Sequence, residues 1–213
     1  MKFSALWDLV KDVPCFDFHL LVQAFPHPRK SLLVQLARWK KAGKVIGLRR
    51  GMYALGQVPS LVRTSPAALA QHLYVPSYLS GPWALAFHGL IPERAAWLTS
   101  VTPRVPRRFQ NPFGLFEYRN LKPAAFFGFR TVNHGRTSIL VAEPEKALLD
   151  HWHLTPGEWS RTRLEEMRYQ NVEGVDVDRL RSYAARFRSP RLLRAVEGWL
   201  QLTALMAKGT VTI

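Results

Sequence analysis

The chain has 213 residues, 47% of them apolar, enough for a packed core in one large domain or a small domain followed by a medium one, and too apolar for a disordered tail. Thirty Lys and Arg face fifteen Asp and Glu, a formal charge of +15, so the expected partners are polyanions, with nucleic acid ahead of anionic lipid. Cys15, the one cysteine, leaves no pair for an internal disulfide or a cysteine-rich zinc site and fits a cytoplasmic location, and no apolar run reaches the roughly 18 residues of a membrane span.

Positive charge is densest at the start. Residues 1–56 carry ten basic and three acidic side chains, a net of +7, against +5 over 57–153 and +3 over 154–213. The opening residues, with Asp8 and Asp12 and no long apolar run, do not read as a secretory signal. Ser4 to Lys11 and Phe16 to Phe25 have helical apolar spacing, and Pro26-His27-Pro28 interrupts the second stretch. Pro28 suits a helix start, and a third helix is expected to run from there to Gly43. Two strand-like runs follow, Lys44 to Arg49 and Met52 to Leu55, turning at Arg50-Gly51. Three helices and a two-stranded wing, in that order, predict a winged helix-turn-helix.

The third helix is expected to pack Leu32, Leu33, Leu36 and Trp39 into a small core. Its other side carries Ser31, Val34, Gln35, Arg38 and Lys41, with Lys30 at the edge and Arg29 at the start. That set suits a recognition helix: Arg donates two bonds to guanine, Gln pairs with adenine, and Lys or Ser holds phosphates. Lys44 at the base of the wing and Arg49 and Arg50 at its tip complete the expected DNA-binding set, the tip being placed to enter the minor groove.

Gly56 to Ser60, with Pro66 beyond, reads as a connector, which divides the chain into a winged helix-turn-helix over 1–56, a linker over 57–64 and a second domain over 65–213. In that second domain helices are expected over Pro66 to Leu73 and Pro82 to Leu90. Strands follow at Trp97 to Thr102, Phe113 to Arg119, Phe126 to Val132 and Thr137 to Val141. Helices return at Glu143 to His153, Trp159 to Tyr169, Val177 to Phe187 and Pro190 to Ala207. Grouped strands with helices after them predict an α+β fold, a small sheet with C-terminal helices. Arg104, Arg107 and Arg108, kept extended by Pro103 and Pro106, form a candidate second basic patch. They are placed to follow a phosphate backbone, to hold an acidic partner, or simply to face solvent.

Three runs in order, LVQLARWKKAGKVIGLRRGMYAL, PSYLSGPWALAFHGL and AEPEKALLD, resemble the AbiEi-type antitoxins of type IV toxin–antitoxin systems. Trp83 departs from that pattern, where a small or polar residue is expected. The resemblance implies a winged helix-turn-helix joined to an antitoxin domain. It implies a repressor bound to inverted repeats at its own promoter, and opposition to a nucleotidyltransferase toxin without a necessary stable complex.

Catalytic and metal chemistry is weakly signalled, and no cofactor is expected. Asp176-Val177-Asp178 has the spacing of a Mg²⁺-holding pair, but no Gly-Ser phosphate-gripping turn precedes it and Asp176 fits better as a helix N-cap. Asp150-His151-Trp152-His153 offers three ligands in four residues, with the two histidines aimed to different sides of a helix. Glu143-Pro144-Glu145-Lys146 reads as ordinary helix initiation and Cys15 as a buried thiol. Two other classes stay open: a module that neutralises a toxin by direct binding with only nonspecific DNA affinity, and a metal-dependent enzyme acting on nucleic acid.

Overall fold

The computed structural model describes residues 1–56, 65–93, 95–135 and 137–209. The expected linker over 57–64 lies outside the described residues. The described residues form a mixed α+β structure, and no described helix is long and apolar enough to cross a membrane.

The first 56 residues contain α1 (Phe3–Val10), β1 (Phe16–Asp17), α2 (Phe18–Ala24), α3 (Arg29–Lys41), β2 (Val45–Arg49) and β3 (Met52–Leu55). The stretch expected as one helix from Phe16 to Phe25 begins instead as a strand, in which Phe16 lies opposite Tyr53 and Asp17 opposite Met52. Asp17 then caps α2, its carboxylate accepting from the Leu20 N–H at 2.8 Å. Gly43 follows α3 at a φ of +69°, and Gly51 turns the hairpin at +75°, both in the left-handed region that glycine enters without steric cost. The sheet is antiparallel, in the order β1-β3-β2. Leu6, Val10, Phe16, Leu21, Leu32, Leu36, Trp39 and Val45 pack into one cluster beneath it. Leu33 does not join them. At 48% exposure it stands on the outside of α3, because it sits a helical step of about 100° from Leu32 while Leu36 and Trp39 return to the same side.

From residue 65 onward the order is α4 (Pro66–Leu73), β4 (Tyr78–Leu79), α5 (Gly81–Phe87), β5 (Leu98–Thr102), β6 (Arg107–Asn111), β7 (Gly114–Asn120), a 3-10 turn (Pro123–Ala125), β8 (Phe129–His134) and β9 (Thr137–Ala142). Then come α6 (Pro144–Leu154), α7 (Arg161–Glu166), α8 (Val177–Phe187) and α9 (Pro190–Ala207). The strands form a mixed six-stranded sheet ordered β6-β7-β5-β4-β9-β8. Two strands in it were not anticipated, the short central β4 and the edge strand β6, whose sequence RRFQN is too polar to read as a strand. Trp159 and Tyr169 flank α7 rather than belonging to it and are buried by hydrogen bonds through Trp152: Trp159 Nε1 donates to its carbonyl at 3.0 Å, and Trp152 Nε1 to the Tyr169 hydroxyl at 2.9 Å.

The β2–β3 hairpin belongs to both halves. Val45 packs into the N-terminal cluster, while Leu48 and Ala54 are buried in the larger core that contains α4, the six-stranded sheet and α6 to α9. Edge strand β6 runs beside β2, where the Asn111 amide donates to the Leu48 carbonyl at 3.4 Å. Each sheet thereby covers an edge of the other, which keeps unpaired backbone groups from recruiting a foreign strand.

Candidate nucleic-acid interface

Helix α3 turns one face inward through Leu32, Leu36 and Trp39 and leaves the other free. Arg29, Lys30, Ser31, Val34, Arg38 and Lys41 are exposed, and Gln35 is half-buried among them. Lys30, Ser31, Val34, Gln35 and Arg38 line one side of a concavity of about 560 Å³, closed by Met1, His27 and Pro28. The structure therefore brings together four of the polar residues singled out on this helix. Among the described residues, no carboxylate lies within 4 Å of the cations of α3. The first turn of α3 contains no acid and its N-cap, Pro28, offers no side-chain acceptor, so the N–H groups there stay available to an anion. Arg29 lies over the Phe18 ring at 5.4 Å and Lys44 over the Phe3 ring at 5.1 Å, which holds both cations beside the helix.

At the wing the two arginines part ways. Arg49 does not stand free at the tip: its Nε donates to the Leu73 carbonyl at the end of α4 at 2.7 Å, and its Nη1 to the Arg50 carbonyl at 3.3 Å. That carbonyl belongs to the last turn of a helix, where a cation is favoured. Arg50 is exposed in the turn and keeps its guanidinium unpaired among the described residues. The second basic patch divides in the same way. Arg104 stacks on Tyr74 at 4.8 Å and donates to the Val75 carbonyl at 2.8 Å. Arg107 and Arg108 are exposed on β6, facing Tyr118 and Glu117 across the strand pair.

The groups weighed for catalysis take structural places. Asp176 caps α8, accepting from the Arg179 N–H at 3.0 Å and from the Arg179 guanidinium at 3.3 Å. His151 packs on Trp159 and His153 on Phe187, at 5.2 and 5.1 Å, on different sides of α6. Among the described residues, no three His, Cys, Asp or Glu side chains are grouped to hold a metal ion. Cys15 is half-buried, and burial pushes its thiol up to about 11, which suppresses the reactive thiolate.

One cluster escaped the sequence reading. Lys146, Asp150, Tyr78 and Ser80 are fully buried together. Lys146 Nζ donates to the Tyr78 hydroxyl at 2.8 Å and forms an ion pair with Asp150, one turn along α6. Asp150 Oδ2 accepts from Tyr78 at 2.9 Å and from Ser80 at 2.7 Å. Rings of Tyr78, Phe127 and Phe187 surround the ammonium at 4.9 to 5.4 Å. Burial pulls the ammonium down from its ordinary range, and the Asp150 carboxylate pulls it back up. The cluster is sealed from solvent and ties β4 and the N-cap of α5 to α6. Its members come from two of the runs that carry the resemblance, PSYLSGPWALAFHGL and AEPEKALLD. The signal in the sequence is the Lys-to-Asp spacing of four on α6.

No protein-family model matches this chain, and no curated protein matches it.

Proposed function

We propose that this chain is a sequence-specific DNA-binding repressor that reads duplex DNA through a winged helix-turn-helix in residues 1–56. The observation that carries this is the outer face of α3, where Lys30, Ser31, Gln35 and Arg38 border one concavity with no acid to neutralise them. Arg38 and Gln35 supply base-edge donors and acceptors, and Val34, at 47% exposure, supplies apolar contact for a thymine methyl. Lys30, Ser31, Lys41 and Lys44 hold phosphates, and Arg50 alone serves as the wing's contact, since Arg49 is committed to Leu73. Arg107 and Arg108 extend the same electrostatic attraction outside α3. The resemblance adds the role of a cytoplasmic antitoxin that represses its own operon at inverted repeats and opposes a nucleotidyltransferase toxin.

Titration of a duplex from upstream of the gene, against a scrambled duplex and over a salt series, tests this. With about six phosphates neutralised, log affinity falls with log salt at a slope near −5. Arg38→Ala is expected to lose about 1–3 kcal/mol on the upstream duplex and its preference over the scrambled one. Arg50→Ala weakens both duplexes alike, whereas Arg49→Ala acts on stability. Equal and weak binding to both duplexes would refute the repressor and leave direct capture of a toxin as the better description.

A further inference from the structure

A second cationic concavity, of about 690 Å³, lies among the elements at the far end of the chain. Three separate segments build it: Lys122 ahead of the 3-10 turn, His153 in the last turn of α6, and Arg186 and Arg188 at the end of α8. Phe187 and the turn residues Ala124 and Ala125 give it an apolar side. No carboxylate lines it, and among the described residues none of Lys122, Arg186 and Arg188 forms an ion pair. The neighbouring helix-end carbonyls are already served by Arg191, which donates to the His153, Thr155 and Gly157 carbonyls at 2.8, 3.1 and 2.6 Å. Among the described residues, none of the three pocket cations donates a side-chain hydrogen bond to those carbonyls.

Two of them are held in place at some expense. The Arg186 guanidinium lies 3.4 Å from the centre of the Phe127 ring, which fixes a side chain that would otherwise sweep solvent. Arg188 ends α8 in the left-handed region, at φ +50° and ψ +42°, a position that favours glycine. A cationic side chain kept where the backbone prefers glycine is the kind of local strain found at binding sites.

We propose that this concavity binds the phosphate chain of a nucleoside triphosphate, with Lys122, Arg186 and Arg188 as its cationic clamp and Phe187 beside the base. Three cations offset most of the charge of a triphosphate, planar guanidinium groups match phosphate geometry, and the volume falls within the range of organic-ligand sites, about 300–1,000 Å³. Nothing in this depends on whether α3 reads DNA.

Calorimetric titration of the full chain with ATP, tripolyphosphate and inorganic phosphate tests it. Saturable one-to-one binding of ATP, tighter than tripolyphosphate and far tighter than phosphate, is expected. Arg188→Gly is the decisive variant: it relieves the left-handed residue, so its melting temperature holds or rises while ATP affinity falls at least tenfold. Arg186→Ala behaves alike in binding, and Arg38→Ala keeps the ATP affinity. Three outcomes would overturn the proposal: no ATP binding at millimolar concentration, equal affinity for ATP and inorganic phosphate, or unchanged ATP binding in a well-folded Arg188→Gly chain. Duplex affinity of Arg188→Gly separates the two sites: if it collapses while ATP does not bind, the concavity holds DNA backbone instead.

Discussion

Replacing Asp150 by Asn removes one charge and almost no volume from a cluster that water does not reach. Tyr78 and Ser80 keep an acceptor in the Asn carbonyl, so the damage concentrates on Lys146, left as an unpaired ammonium among Tyr78, Phe127 and Phe187. Breaking one side of a buried pair costs about 3–5 kcal/mol. A ceiling comes from the lysine itself, which can shed its proton: doing so at pH 7 against an ordinary value of 10.5 costs about 5 kcal/mol. At about 2–4 °C per kcal/mol for a chain of this size, the melting temperature should fall by about 6–20 °C. The ceiling also sets a sign. A lysine that reaches this ceiling is neutral when folded and charged when unfolded, so the unfolded state binds the extra proton and stability then rises with pH. The deficit against the unaltered chain then shrinks with rising pH, by at most about 1.4 kcal/mol per pH unit. Urea unfolding followed by tryptophan fluorescence at pH 7 and pH 9 reads both numbers. Adding Lys146→Met to Asp150→Asn should recover at least about 2 kcal/mol, because the stranded charge is gone. A deficit below about 1 kcal/mol at pH 7, or no recovery on adding Lys146→Met, would refute the account of Lys146 as a buried cation held by Asp150.

His151 gives the chain an acid limit. Burial first, and then the Arg163 guanidinium, hold its imidazole down to about 4, and its Nε2 is shut from water without a partner. It is neutral in the folded chain and protonates near pH 6.5 when unfolded, so stability is full above 6.5 and falls by about 3 kcal/mol on going to pH 4. His72, His88 and His153 are lowered by burial too and add slopes of the same sign. His151→Leu should therefore flatten part of the slope between pH 6.5 and 4; an unchanged slope would remove His151 from it. In α3, Leu36→Ala should cost about 2–5 kcal/mol in urea unfolding and Leu33→Ala under about 1, since the first is 2% exposed and the second 48%. Equal losses would mean that Leu33 packs inside after all.

Much of the fold was legible because its punctuation is local. Pro66, Pro190 and the Asp176 cap mark α4, α9 and α8 at their starts, and the Arg50-Gly51 turn marks the hairpin. The losses have a common cause, which is that tertiary partners decide them. Phe16 and Asp17 become strand only because Tyr53 and Met52 lie opposite, and a two-residue strand carries no period of its own. The RRFQN segment becomes β6 because β7 pairs with it, against a composition that reads as loop. Lys146 read only as part of an ordinary helix start, and its burial depends on Tyr78, Phe127 and Phe187, up to 68 residues away. At the candidate site the face of α3 was legible from its wheel. The fate of Arg49 was not, since a carbonyl 24 residues further on decides it.

That carbonyl changes what the hairpin is for. The hairpin has Val45 in one core, Leu48 and Ala54 in the other, and Arg49 bonded to the end of α4. Val45 shares a cluster with Trp39 of α3, and Leu48 and Ala54 share one with the apolar residues of α6. Packed cores resist continuous deformation, so the face of α3 holds a set orientation relative to the second core. Arg49, expected to reach a minor groove from the hairpin tip, instead ties the hairpin to the end of α4, and in the proposed DNA-reading role the groove contact falls to Arg50.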